Sequence, residues 1–324
     1  MFDKIFSVFP LLEVIVRVSY WKSRILHNII KKMVSKTKSS STKRVASSGG
    51  DFSGLLKKLE DMGIEKGDTI IVHSAYGKLK KFSLSPQQII DALIEFVGEA
   101  GNIIMPAIPI LKDQPNLLDR FRLSNYTKAP LYDVKKSKCW TGILAQTLLE
   151  MPGARRSRSP LNSMVVFGAN SSELIRNDLF SKDSLPCGEN SVLALSLNYN
   201  AKMVFLGVDE VHNMTMIHVA EDLYINDWPI NNWFWKRPFE IVDGEYHETV
   251  VLAERNPFWA LFYAERRFSR DLIKDGIVRR DVIGDLSVSV CENTKLVNYL
   301  RCKNLKGYPY YIPFWYQRNK DVED

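Results

Sequence analysis

The residues with the clearest chemical potential are Thr215, His218 and Glu221, which follow one another at intervals of three. On a helix, residues three apart share one face, so a hydroxyl, an imidazole and a carboxylate could meet there. A carboxylate beside an imidazole fixes its tautomer and stabilises its protonated form, as a general base requires. The spacing alone is weak evidence, because such helical pairs are more often ordinary surface contacts.

A second candidate is the run His73, Ser74, Ala75, Tyr76 and Gly77, which follows a short apolar stretch typical of a buried strand. Small and hydroxyl residues after a strand allow a ligand to approach backbone amides, where a phosphate or a carbonyl can be held. The structural alternative is equally simple. Turns use Ser and Gly for conformational reasons, and His73 could be a hydrogen-bonded core histidine.

A third candidate is the basic run from Arg155 to Ser163, which includes Arg156, Arg158 and Ser159. Arginine in such a loop could contact phosphate groups. The alternative is a solvated basic loop without a ligand.

The elements that must position these residues follow an α/β pattern. Apolar periodicity and Gly, Pro and capping residues predict helices over 51–62, 86–97, 141–150, 215–224, 259–273 and 294–300. They predict strands over 68–73, 102–105, 164–167, 202–206 and 249–252, and a strand pair flanking Gly284. Alternating strands and helices favour a three-layer α/β/α fold with a central mixed sheet. Residues 107–140 are irregular and are expected to be a functional loop region or an insertion.

The charge of the chain is concentrated at its N-terminus. The whole chain has a net charge of +7 and a pI near 9.0. Residues 1–50 hold ten basic and two acidic residues, a net charge of +8, and the rest hold 34 basic and 35 acidic residues, a net charge of −1. The neutral body argues against a broad nucleic-acid footprint, so no nucleic-acid partner is expected.

Residues 1–34 are expected to form a basic amphipathic helical arm, and the Ser/Lys-rich residues 35–50 a flexible linker. Pro10, Glu13 and Arg17 interrupt the apolar stretch, which argues against a spanning helix and against a signal peptide. Three readings stay open: binding to an anionic membrane surface, packing on the body or a neighbouring subunit, and a cleaved or inserted segment. We expect a cytoplasmic protein, peripheral on the inner face of the membrane under the first reading, and leave a homo-oligomer open.

The four cysteines are scattered and form no CxxC motif, so reduced thiols are expected and no metal site is predicted. Residues 51–305 are expected to form the α/β domain. Residues 306–324 form a tail whose aromatic side chains must be buried against something.

Taken in order, these motifs resemble the aminoglycoside 3-N-acetyltransferase family, the antibiotic N-acetyltransferases that are distinct from the GNAT enzymes. The resemblance covers roughly residues 52–302 and rests on Leu55–Gly63, Gly67-Asp68, Val72-His73-Ser74, Gly77, Ile89–Val97, Gly101, Met105-Pro106, Gly142, Arg156-Ser157, Pro160, Ser163, Gly188, Ser191, Leu206-Gly207-Val208, Thr215, His218, Glu221, Gly284 and Leu296–Leu300. The ordered set is specific, whereas the His-x-x-Glu motif by itself is not.

The resemblance implies direct transfer of an acetyl group from acetyl-CoA to an amine. His218 would be the general base, Glu221 would orient it, and Thr215 would help to hold the oxyanion. Residues 73–77 and Ser163 would bind the cofactor, and no metal would be needed. The sequence departs from the family pattern at Ser159, where the family usually has His, and at Ala75, where it usually has Ser.

These departures bear on the acceptor more than on the chemistry. Because the basic arm suits an enzyme beside a membrane, we expect the acceptor to be an amino sugar, nucleotide- or lipid-linked, of surface-polysaccharide biosynthesis. The alternatives are an aminoglycoside acetylated in antibiotic resistance, a non-catalytic scaffold at the membrane, and a hydrolase that uses Ser74 with His218.

Overall fold

The computed structural model describes residues 2–23, 51–112, 128–180, 184–304 and 306–317. Its α-helices are α1 Phe2–Val8, α2 Pro10–Lys22, α3 Phe52–Asp61, α4 Tyr76–Leu79, α5 Pro86–Val97, α6 Ile143–Leu149, α7 Ser171–Leu174, α8 Val192–Leu195, α9 Ile217–Leu223, α10 Glu265–Lys274 and α11 Asn293–Asn304. Its strands are β1 Thr69–Ser74, β2 Asn102–Pro106, β3 Leu131–Asp133, β4 Arg155–Arg156, β5 Met164–Gly168, β6 Lys202–Leu206, β7 Phe234–Asp243, β8 Tyr246–Arg255, β9 Val278–Ile283 and β10 Leu286–Glu292. The predicted linker over 35–50 and part of the predicted loop over 107–140 lie outside the described residues.

Seven strands form a central mixed sheet in the order β4-β5-β2-β1-β6-β10-β9. β1 runs parallel to both of its neighbours, β2 and β6, whereas the outer strands join antiparallel. Because β1 and β6 are adjacent and parallel, their carboxyl ends lie at the same edge of the sheet. The loops that follow these two strands are therefore brought together.

Helices cover both faces of this sheet, which confirms the predicted three-layer α/β/α fold. Ile70 and Val72 of β1 lie in one core with α3, α5 and α6, whereas Ile71 lies in the other core with α8, α9, α10 and α11. The alternation follows from the two-residue period of a strand. Local signals work as expected too: Ser85 and Gln88 form a capping box at the start of α5.

Two parts of the fold differ from the prediction. The structure contains a second sheet, with the strand order β3-β7-β8, which was not predicted. The predicted short strand over 249–252 belongs to it as β8, which is ten residues long and pairs with the unpredicted β7. The predicted helix over 259–273 is two elements, the 3-10 helix Pro257–Phe262 and α10. The break has a tertiary cause, because Tyr263 is extended and pairs with Tyr310 of the C-terminal segment.

The N-terminal helices pack on the body. α1 lies against α10, and α2 lies against the 3-10 helix Pro257–Phe262. Glu13 is buried, and its carboxylate accepts hydrogen bonds from Arg17 at 2.9 Å and from the Nη1 of Arg266 at 2.8 Å. Within the described ranges, no helix is both long enough and apolar enough to cross a bilayer.

Candidate active site

The first and second candidate stretches meet at the carboxyl ends of β1 and β6. Ser74 pairs with Leu206 in the register of the sheet, and the amide of Ala75 donates to the Leu206 carbonyl at 3.0 Å. Across this edge, the Oγ of Thr215 lies 3.3 Å from the Nε2 of His73. The structure thus joins side chains that are 142 positions apart in the sequence.

His73, Ser74 and Thr215 line a cavity of about 290 Å³. The rest of its wall combines apolar and polar side chains: Val72, Met105, Pro106, Ile108, Trp140, Thr141, Gly142, Ala145, His212 and Asn213. Burial lowers the pKa of His73 to about 3, so its imidazole is neutral at physiological pH. In this cavity, named the hydroxyl cavity here, His73, Ser74 and Thr215 offer uncharged hydrogen-bonding groups beside an apolar wall, and His212 adds a positive charge because Asp209 and Glu265 raise its pKa to about 10.

His218 and Glu221 form the predicted pair, with 3.0 Å between the Nδ1 of His218 and the Oε2 of Glu221. Thr215 is placed differently from the prediction, because α9 begins at Ile217 and Thr215 lies in the turn before it. That turn is closed by the His218 amide, which donates to the Thr215 carbonyl at 3.1 Å. Thr215 therefore faces His73 rather than the His218 imidazole.

Glu221 is held by two residues that sequence analysis did not identify. The Nε of Arg255 donates to its Oε2 at 2.6 Å, and the hydroxyl of Tyr310 donates to its Oε1 at 2.9 Å. Arg255 also donates to the buried carboxylate of Asp222 at 2.7 Å. Burial alone would raise the pKa of Glu221, but Arg255, His218 and Tyr310 outweigh it and hold the pKa below its ordinary value. Glu221 is thus a buried carboxylate that stays ionised.

This network determines the state of His218. Burial, with help from the positive charge of Arg255, lowers the pKa of His218 below its ordinary value, and the opposing effect of Glu221 does not cancel it. The imidazole is therefore neutral at pH 7. With Nδ1–H directed at an ionised carboxylate, Nε2 is left as an acceptor. Within the part of the chain that the structure describes, this Nε2 forms no hydrogen bond.

His218 lines a second cavity, also of about 290 Å³, which is named the aromatic cavity here. The other lining residues are Leu161, Asn162, Pro186, Trp233, Glu254, Arg255, Asn256, Pro257, Trp259, Ala260 and Tyr310. The indole Nε1 of Trp233, a buried residue, has no hydrogen-bond partner among the described residues. The carboxylate of Glu254 receives a hydrogen bond from Arg237 at 2.6 Å.

The remaining predicted site residues lie outside these two walls. Ala75 precedes α4, and Tyr76 and Gly77 open it. The hydroxyl of Tyr76 donates to the Leu84 carbonyl at 3.2 Å. Ser163 is fully buried and lies 3.2 Å from the hydroxyl of Tyr132. The structure therefore does not bring these four residues into either cavity.

The third candidate stretch is engaged with the protein itself. Arg156 is buried, donates to backbone carbonyls that include Ala107 at 2.5 Å, and stacks on the ring of Tyr132. Arg158 pairs with Asp243 at 2.9 Å. Ser159, at the position where the family usually has His, receives no ligand-facing role, because its Oγ donates to the Leu161 carbonyl at 2.9 Å.

The sequence contains only a general indication that Arg255 and Tyr310 belong to the site. Tyr310 belongs to an aromatic tail that had to be buried, but nothing in its pattern indicates Glu221, 89 positions earlier, as its partner. Arg255 is the last residue of β8, and nothing in the sequence around it indicates a contact with Glu221. Both contacts depend on long-range packing.

The arrangement can carry out one kind of reaction well. A neutral imidazole anchored by a buried carboxylate can take a proton from a nucleophile in the aromatic cavity. Thr215, three residues earlier in the chain, lines the hydroxyl cavity, where a carbonyl could be polarised. A base that takes a proton and a hydroxyl that polarises a carbonyl are what an acyl transfer needs.

Comparison with known proteins identifies the family. Residues 71–302 match the profile of the family described as aminoglycoside 3-N-acetyltransferase, which covers well over half of the chain. Aminoglycoside N(3)-acetyltransferase IX of Micromonospora chalcea is 27% identical over 246 residues, 70% of this chain and 83% of that protein. Aminoglycoside N(3)-acetyltransferase VII of Streptomyces paromomycinus is 25% identical over 266 residues, 76% of this chain and 88% of that protein.

Solved structures share the fold. AAC-IIIb, in a binary complex with CoASH, superposes with a TM-score of 0.64 at 20% identity, over 82% of this chain and 99% of that one. Sisomicin-bound AAC-VIa superposes with a TM-score of 0.60 at 20% identity, over 79% of this chain and 99% of that one. The family match, the relatives and the shared fold agree with the site geometry: the chain belongs to the aminoglycoside 3-N-acetyltransferase family and is an acyltransferase.

Proposed function

We propose that the protein transfers the acetyl group of acetyl-CoA to a primary amine of an aminoglycoside, with His218 as the general base. The observation that carries this proposal is the His218–Glu221–Arg255 arrangement, which leaves the Nε2 of a neutral imidazole as an acceptor on a residue that lines the aromatic cavity. The family membership supports acetyl-CoA as the donor.

In the proposed reaction His218 accepts a proton from the amine while the nitrogen bonds to the acetyl carbon. The carbon–sulfur bond then breaks, and His218 returns the proton to the departing thiolate, so the products are an amide and a free thiol. Glu221 stabilises the imidazolium that forms in between, and Arg255 keeps Glu221 ionised. No acyl-enzyme is formed, so the thiol of Cys187, a buried residue whose amide donates to Asp222 at 2.8 Å, has no part in the reaction.

The hydroxyl cavity is the proposed place for the thioester. Thr215 would donate to the carbonyl oxygen as negative charge develops on it, and His73 and Ser74 would line the approach. Its apolar residues, which include Met105 and Trp140, suit the uncharged arm that carries the thioester. Roles for Ala75, Tyr76, Gly77 and Ser163 in cofactor binding rest on the family resemblance alone.

The aromatic cavity is the proposed place for the acceptor. Trp233, Trp259 and Tyr310 can pack on the apolar face of a sugar ring. The indole N–H of Trp233, which has no partner among the described residues, can donate to a hydroxyl. The names of the relatives favour aminoglycosides over the polysaccharide amino sugar expected from the sequence.

One observation keeps the amino sugar of surface-polysaccharide biosynthesis as a second candidate. Glu254, the carboxylate that lines the aromatic cavity beside Arg255, is already paired with Arg237. Polycationic drugs gain most from carboxylates that are free to pair with them, so a sugar with a single amine fits this wall as well.

The test is release of CoA thiol from acetyl-CoA in the presence of sisomicin, gentamicin, or a UDP- or dTDP-linked amino sugar, with the product checked by mass spectrometry. Turnover of an aminoglycoside to its mono-N-acetyl form is the expected result. Turnover of the nucleotide-linked amino sugar alone would contradict the aminoglycoside as acceptor and support the second candidate. Thiol release no faster than spontaneous hydrolysis with every acceptor would contradict both.

A further inference from the structure

Helix α2 packs on the body with its charged side inward. Glu13 is only 3% exposed and Val14 is buried, while Val18 and Trp21 pack against the main core. The side chain of Arg17 is 15% exposed and pairs with Glu265 at 2.8 Å. The face at positions 13, 14, 17, 18 and 21 is therefore fully used within the chain.

The opposite face of the same helix is apolar and open to solvent. The exposed apolar residues of α2, named the apolar face here, are Leu11, Leu12, Ile15 and Val16, each between 43% and 60% exposed. Val8 at the end of α1 and Phe9 between the two helices are exposed as well. Positions 11 and 15, like 12 and 16, are four apart and stack on one side of the helix. A contiguous patch of this kind on a folded protein marks an interaction surface.

The charge of the N-terminal segment indicates what covers this face. Lys4 and Lys22 lie against the body, since Lys4 lines a cavity with Arg270 of α10 and the Nζ of Lys22 lies over the ring of Phe258. Seven further basic residues follow α2 in the sequence between positions 24 and 44. The first 50 residues carry +8 against −1 on the body. A second copy placed on this face would bring two such basic arms together, at an electrostatic cost. An anionic bilayer accepts apolar side chains and attracts lysines at the same time.

We propose that the apolar face of α2 docks on the surface of an anionic lipid bilayer, with the helix lying in the plane of the interface. Because Glu13 binds Arg266 of α10, the helix is fixed to the body before it meets the membrane. Docking would therefore hold the whole enzyme at the bilayer, and not merely a loose tether. This proposal stands whether or not the acceptor assignment is correct.

The test uses full-length protein and flotation with two kinds of vesicle, phosphatidylcholine alone and phosphatidylcholine with phosphatidylserine. The wild type is expected to float with the phosphatidylserine vesicles, and to do so less at high salt. The double variant Leu11→Ser/Ile15→Ser keeps every charge and is expected to bind at least about tenfold more weakly. A matched control, Leu131→Ser/Val251→Ser, changes two exposed apolar residues on strands of the second sheet and should float like the wild type.

Melting temperature confirms that each variant is folded, and light scattering gives its mass. Equal flotation of wild type and Leu11→Ser/Ile15→Ser would overturn the proposal, as would a wild type that does not float at all. A wild-type dimer that the same double variant converts to a monomer, without flotation of either, would also overturn it and assign the face to a second copy.

Discussion

At the scale of single residues, the state of His218 is determined by groups behind it. The carboxylate of Glu221 receives the Nδ1 proton, and Arg255 and Tyr310 hold that carboxylate in place. Burial lowers the pKa of His218, so the base is ready at neutral pH without a prior proton loss. The sequence indicates the His–Glu pair, whereas Arg255 and Tyr310 reach it only through the folding of distant segments.

Glu221→Gln tests the positioning role of this carboxylate. The amide removes the negative charge that raises the pKa of His218, so that pKa should fall further, and the tautomer is no longer fixed. We expect kcat to fall by about 100-fold. The His218 pKa, followed by NMR of the imidazole, should move downward.

Tyr310→Phe is the matched control, since it removes one hydrogen bond to Glu221 but leaves its charge. Its effect on kcat should be well below that of Glu221→Gln. A folded Glu221→Gln protein with wild-type kcat and an unchanged imidazole titration would contradict the role given to Glu221.

At the scale of elements, strong local sequence signals predicted the helices and strands that position the site. The capping box of α5 and the apolar runs of β1 and β6 needed no tertiary information, and their ends fall close to the predicted positions. The second sheet and the interruption at Tyr263 were missed because both result from pairing with distant segments. The turn before α9 was missed for a similar reason, since the Oγ of Thr215 bonds to His73 across the sheet edge.

Arg156 is a candidate phosphate contact in the sequence, but in the structure its side chain stabilises the fold. Because its guanidinium satisfies several backbone carbonyls and stacks on Tyr132, Arg156→Ala should lower the free energy of unfolding by about 3 kcal/mol. Denaturant unfolding measures this loss. The exposed neighbour Arg155 provides the control, and Arg155→Ala should change stability by less than about 0.5 kcal/mol.

The same two variants distinguish a structural role of Arg156 from a role in ligand binding. The Michaelis constant for acetyl-CoA should stay within about threefold of the wild type in both folded proteins, because a loss of one charged phosphate contact would change it more. A tenfold rise in the Michaelis constant for acetyl-CoA, with an unchanged free energy of unfolding in Arg156→Ala, would show instead that Arg156 contacts the ligand.

At the scale of the whole molecule, the N-terminal helices and the site are linked by ion pairs. Arg17 of α2 binds Glu265, and the other oxygen of Glu265 lies 2.7 Å from the Nε2 of His212, which lines the hydroxyl cavity. The basic residues that give the chain its net charge lie in its first 50 residues. The described part of that segment is held to the catalytic body by the ion pair between Arg17 and Glu265.

His212 gives this link a pH dependence. Hydrogen bonds to Asp209 and Glu265 raise its pKa to about 10 from an ordinary value of 6.5. The stabilisation is therefore present in full below about pH 6.5 and is lost as the pH rises towards 10. Because His212 is half exposed, solvent screening keeps this effect modest.

We expect the melting temperature of the wild type to fall more steeply between pH 7 and pH 10 than that of His212→Gln, which cannot lose this charge. Scanning calorimetry across that range makes the comparison. Parallel curves for the two proteins would mean that His212 is not held as a cation.

The central claim, that His218 is the base of an acetyl transfer, is tested most directly by steady-state kinetics of His218→Gln with acetyl-CoA and an acceptor that the wild type turns over. The control is His247→Gln, which removes another histidine paired with a glutamate, at an exposed position of the second sheet. We predict that kcat falls by about 10²–10⁴-fold in His218→Gln, with the Michaelis constant for acetyl-CoA within about threefold of the wild type, and that His247→Gln behaves as the wild type. A folded His218→Gln protein with an undiminished kcat would contradict the account.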